Sequence, residues 1–92
     1  MIDMITYGGG SGKSFDDAIK IQGAANITEG VMGEYQYLSK IFGERGIDWE
    51  LEEQRLRSVE EKGKHYDKMD IRLRDGTRKT LYFDITEFFE KE

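Results

Sequence analysis

An α+β domain, with one main helix packed on an antiparallel sheet of three main strands, is the fold class this sequence predicts. Two patterns carry that expectation. Ile27, Val31, Tyr35, Leu38 and Phe42 recur at four- and three-residue spacing, as one helix face requires. Met69, Ile71 and Leu73 alternate with charged residues, "RDGT" turns the chain, and Leu81, Phe83 and Ile85 alternate again. The predicted order is β-α-β-β-β with a short C-terminal helical turn.

Residues 1–14 read as a flexible Gly/Ser-containing segment, leaving residues 15–92 as a single domain. "MIDMIT" has the content of a short strand, and "DAIKI" (17–21) reads as another, closed by Gly23. Asn26 is placed to cap the helix, with Glu29 three residues on as its capping-box partner. Gly43 stands where a C-cap is wanted. Gly30 and Gly33 interrupt the helix, each at a cost of about 1 kcal/mol against alanine. They lie beside the apolar stripe, so close approach of another backbone, or of a ligand, is expected there.

Residues 48–61 fit two readings. Their Glu, Gln, Leu and Arg content suits a helix, but Ile47, Trp49 and Leu51 alternate as in a strand. Leu56 and Val59 then fall out of phase, which a β-bulge near residues 52–55 would explain. The strand is preferred because the next strand needs a partner. At the following turn, parity of the apolar faces selects a three-residue loop, Arg74–Gly76, with Gly76 left-handed. Thr86 is placed to cap the terminal turn "EFFEKE", whose Phe88 and Phe89 close one edge of the core.

Composition narrows the functional classes. Of 92 residues, 36% are charged, with the two signs interspersed, and the net charge is −5. Nothing in that balance draws the chain to nucleic acid or anionic lipid. With no cysteine and a single histidine, His65, disulfides, thiolate zinc sites and His-pair metal motifs are excluded. No apolar run approaches the roughly 20 residues of a membrane span, and the start lacks a signal pattern, so a cytoplasmic location is expected.

"AIKIQGA", "EGVMGEYQYL", "GIDWEL", "KHYDKMDIRL" and "DGTRKTLYFDITEFF", with the Gly/Ser start before Phe15, resemble a family of small uncharacterised bacterial proteins. The resemblance spans most of residues 8–89. It implies the hairpin and a strand near Trp49, and it brings no catalytic residue because that family has none assigned.

Four groups of residues are candidates for function. "YGGGSGKS" (7–14) contains the second half of a phosphate-binding loop in Gly12, Lys13 and Ser14, but Tyr7 stands where the first glycine belongs. A tether is the reading preferred there. Tyr66, Lys68, Arg72, Arg78 and Tyr82 gather on the outward hairpin face, with Arg55 and Arg57 nearby, as single-strand RNA platforms combine aromatics and bases. Asp70 and Asp84 dilute that patch. Glu34 falls near the apolar helix face, where pairing with an arginine or a tyrosine hydroxyl is expected. His65 with Asp67 and Asp84 makes an acid–base group conceivable, although no nucleophile has a supporting context.

The expectation is therefore a non-enzymatic protein-interaction domain without cofactor or metal, monomeric or weakly dimeric. Its partner would dock on a sheet edge, the 77–85 strand, or beside Phe88 and Phe89. The alternative is a weak nucleic-acid or phosphate binder using the hairpin face and the glycine segment.

Overall fold

The helix starts where its cap is written. In the computed structural model, which describes residues 5–90, Asn26 is extended and its side chain accepts from the Glu29 N–H at 2.9 Å. Glu29 reaches back one residue further than a capping box requires, accepting from the Ala25 N–H at 3.0 Å. Helix α1 spans Ile27–Phe42 and ends at Gly43, whose φ of 106° favours glycine. The Gly43 carbonyl accepts from the Trp49 indole N–H at 2.8 Å, tying the helix end to the next strand.

Among the described residues five strands make the sheet, where three main strands and one short one were expected: β1 (Thr6–Gly9), β2 (Ile19–Gln22), β3 (Trp49–Val59), β4 (Lys64–Leu73) and β5 (Arg78–Asp84), in the order β1-β2-β5-β4-β3. β2 runs parallel to β5 and the other pairs are antiparallel, so the sheet is mixed. The α+β class holds and the strand count is corrected. Thr6–Gly9, assigned from sequence to the flexible segment, forms edge strand β1 against β2. Of "MIDMIT", Met1–Met4 lie outside the described residues, as do the last two of "EFFEKE".

The hairpin follows its predicted register. Met69 pairs with Leu81, and the Leu73 N–H donates to the Thr77 carbonyl at 2.7 Å around a Gly76 with φ 92°. β3 is a strand, and its register against β4 slips between Leu51 and Glu53, which makes Glu52 the bulged residue. After the bulge, Gln54 and Leu56 face the helix side and Arg55 and Arg57 the outer side, opposite Lys68 and Tyr66.

The core lies between α1 and the sheet. Ile19, Ile21, Leu38, Trp49, Met69, Ile71 and Phe83 are all fully buried there, with Tyr35, Tyr37 and Phe42 packed against them. The helix face is rotated from the predicted stripe: its buried residues are Gly30, Gly33, Glu34 and Leu38, while Ile27 is exposed. The glycines allow close approach of side chains rather than of a backbone. A Cβ at Gly30 would clash with the Phe88 ring at its Cε1, and one at Gly33 would meet Ile5 Cδ1 at 3.1 Å. The C-terminal segment makes a single helical turn, as expected. The Thr86 N–H donates to Asp84 Oδ1 at 3.0 Å, and the Phe89 N–H to the Ile85 carbonyl at 2.9 Å.

The 77–85 strand is covered along its second half. β5 is central, with β2 paired along Phe83 and Asp84 and the Gly12 carbonyl accepting from the Tyr82 N–H at 2.8 Å. The expectation of docking is overturned for that half, where outward groups are met within the chain, while the pairing stops short of Arg78–Thr80. The sheet's edges are β1 and β3.

Candidate functional site

The candidate residues separate onto two faces. Tyr66, Lys68, Arg72, Arg78 and Tyr82 share the outer face of β4 and β5, where Lys68 lies opposite Tyr82 and Arg72 opposite Arg78. Glu34, Phe88 and Phe89 are on the helix side.

On the outer face, the loop before β2 lays Phe15 over both tyrosines, with ring centroids 5.1 Å from Tyr66 and 4.6 Å from Tyr82, edge to face. Arg57 sits 5.7 Å from the Phe15 centroid. Tyr66 is thereby buried. Phe15 and Tyr82 remain half-buried, and Phe15 is a residue the sequence pattern did not single out. The basic charge is also answered locally: the bulged Glu52 lies 3.7 Å from Arg72 and 3.1 Å from Arg78, and Lys64 is 3.5 Å from Asp84.

The glycine segment is closed on itself. The Gly10 N–H donates to the Ala18 carbonyl at 3.0 Å, the Gly12 N–H to the Asp17 carbonyl at 2.7 Å and the Ser11 N–H to Asp17 Oδ2 at 3.1 Å. The Ser11 hydroxyl also donates to Asp17. These bonds from the Ser11 side chain and backbone hold the Asp17 carboxyl below its ordinary range. A phosphate cradle needs free, convergent N–H groups, and here a carboxylate of the same chain already takes that place.

On the helix side, Glu34 is fully buried; neither of its oxygens accepts a hydrogen bond among the described residues, and the protonated carboxyl has Asp67 as its hydrogen-bond partner. The expected arginine or tyrosine partner is absent from it, so that pairing is corrected. Burial raises its pKa well above the ordinary carboxylate range, and the facing Asp67 carboxylate of β4 pushes in the same direction. Asp67 is itself buried, with Oδ2 accepting from Gln54 Nε2 at 3.1 Å.

Asp67 belongs to the wall of a cleft of about 200 Å³ lined also by Ile27, Val31, Gln54, Leu56, Ile85, Phe88 and Phe89. Its origin is in the sequence. The bulge turns Leu56 toward the helix side, and Leu56 is nonetheless 52% exposed, as Ile27 across the gap is 43%. Phe88, seated on Gly30, forms the closed end. The terminal turn is fastened to the hairpin by His65, whose ring stacks on Phe89 at 3.8 Å and whose Nδ1 is 2.8 Å from Ser58 Oγ. The His65 N–H also donates to Thr86 Oγ1 at 3.0 Å. Sequence reasoning named Phe88, Phe89 and Glu34, but missed Leu56, Gln54 and Ile27 as cleft residues. Placing the bulge at Glu52 is the signal that would have found Leu56.

No cluster of three metal-ligating side chains occurs among the described residues, and no helix among them is long and apolar enough to cross a membrane. No known protein family, curated protein or solved structure matches this chain.

Proposed function

We propose that this domain is a protein-interaction module that does no chemistry and takes a short apolar segment of a partner into the cleft between α1 and the C-terminal turn. The observation that carries this reading is the pair Ile27 and Leu56. Both are large apolar side chains on opposite rims of an apolar cleft, and both are substantially exposed. Covering the exposed half of one such side chain contributes about 1 kcal/mol, part of which is offset by the cost of association. The interaction is therefore weak and transient, as suits a site of this size.

The outer face supports the nucleic-acid reading less well. Phe15 packs on the tyrosines, Glu52 pairs with Arg72 and Arg78 and offsets part of their charge, and Asp17 takes the Ser11 and Gly12 amides. The contact between Ser58 and His65 is read as structural, since the imidazole is sandwiched against Phe89 at the root of the turn.

The test is a titration of the ¹⁵N-labelled domain with an acetylated leucyl-norleucyl-leucine amide. Saturable amide shifts at Leu56, Ile85, Phe88 and Phe89, lost in Leu56→Lys, are expected. Shifts confined to the outer face, or none, would overturn the assignment.

A further inference from the structure

We propose that the anchor this cleft accepts from its partner is a lysine side chain, its aliphatic stem along Val31, Leu56 and Phe88 and its ammonium at Asp67. The inference rests on the docking reading above and adds the identity of the anchoring side chain.

Three observations lead to it. The cleft is apolar along its walls but has a carboxylate, Asp67, in its lining. Asp67 also faces a second carboxyl group, Glu34, fully buried and held protonated to a higher pH by burial, by the Asp67 charge and by its side-chain hydrogen bond with Asp67. The buried charge of Asp67 is costly to a domain when no cation stands beside it, and a partner's cation would offset that cost. Among the described residues, no cation lies within ion-pair distance of either group. The whole chain carries −5, so its long-range field also favours a basic partner.

The shape of the acceptor selects among cations. Asp67 Oδ2 is already engaged by Gln54 Nε2, and Glu34 is a second hydrogen-bond partner of the same carboxylate, so no open pair of oxygens is left. An arginine fork matches a carboxylate through both oxygens and would have to displace Gln54. A lysine ammonium is a point donor and needs one. Its four-carbon stem also suits apolar walls, since lysine buries its methylenes while the head seeks a polar group. Gln54 is held in turn by the Tyr35 hydroxyl, 3.4 Å from its Oε1, so the amide keeps its Nε2 turned to Asp67.

The experiment compares three acetylated peptide amides, leucyl-lysyl-leucine, leucyl-norleucyl-leucine and leucyl-arginyl-leucine, by amide-shift titration of the wild-type domain. Norleucine keeps the stem and lacks the charge. The lysine peptide is expected to bind about tenfold more tightly than the norleucine peptide, the scale of one charge-assisted hydrogen bond in a partly desolvated site. Asp67→Asn, close in shape, should bring the two within about twofold of each other. Equal affinity for lysine and norleucine in the wild type overturns the inference while leaving apolar docking intact. Arginine binding as tightly as lysine overturns the choice of cation. If no peptide shifts the cleft amides, both this inference and the docking reading fall. The wild-type comparison decides the matter even if Asp67→Asn does not fold.

Discussion

The ring of Phe88 occupies the space that a side chain at position 30 would fill. That relationship makes one end of the cleft, and it explains a glycine placed inside a helix against its propensity. Gly30→Ala gains about 1 kcal/mol of helix propensity, but it forces the ring aside, and overpacking of this kind costs about 1–3 kcal/mol. At Gly33 the obstacle is the end of the Ile5 side chain, which can swing. Denaturant unfolding should therefore show Gly30→Ala less stable than Gly33→Ala. The reverse order would mean that Phe88 is not seated on the helix.

Phe83 stands at the centre of the sheet, fully buried, with Tyr37 edge-on at 5.7 Å. Phe83→Ala should cost about 3–5 kcal/mol in the same measurement. A loss under about 1 kcal/mol would contradict the core described here.

Glu34 predicts a pH dependence of definite sign. Its pKa is raised in the folded state by burial and then by Asp67, the titratable group that faces it. Between the ordinary 4.5 and that raised value the folded chain holds a proton the unfolded chain has released. This group's contribution to stability is thus fully present below that window and is lost as pH rises through it. Glu34→Met removes the buried carboxyl, so it should flatten the dependence and raise stability at about pH 8 by about 1–3 kcal/mol. Urea titrations of both proteins at about pH 5 and about pH 8 read the difference. Identical pH profiles would show that the Glu34 pKa is not raised in the folded state. Asp84 acts on the opposite limb. Burial is the largest single influence on it and raises its pKa, but the Thr86 hydrogen bonds and Lys64 together outweigh burial. Its contribution is therefore lost as pH falls below the ordinary 3.8.

The glycine segment should ignore nucleotides. With the Gly10, Ser11 and Gly12 N–H groups taken by Ala18 and Asp17, millimolar Mg·ATP should leave their amide shifts unchanged. Saturable shifts at those residues would contradict the closed loop.

How far the sequence reached follows from where side chains, rather than backbone, carry the pattern. The β4–β5 hairpin and its three-residue loop were legible because Met69, Ile71, Leu81 and Phe83 alternate and parity leaves one register. The Glu52 bulge was legible as a break in that same alternation. β1 was not, because "TYGG" pairs with β2 through backbone groups and offers no periodic side chains to read. Without β1 and the β2–β5 pairing, the 77–85 strand reads as an edge. The helix stripe was misplaced by about a residue's rotation because glycine carries no hydropathy, yet Gly30 and Gly33 are the buried contacts. Of the site, Phe88, Phe89 and Glu34 were marked by their chemistry. Leu56, Gln54 and Asp67 became neighbours only through a cross-strand register that no local pattern contains.

The most direct test of the docking account is the set of intermolecular nuclear Overhauser contacts in the complex with the leucyl-lysyl-leucine peptide. The account predicts contacts from the peptide's leucine methyl groups to Leu56, Ile27 and the Phe88 ring, and from the lysine methylenes to Val31. Contacts to Phe15, Tyr66 or Tyr82 on the outer face, with none to Leu56 and Phe88, would contradict it.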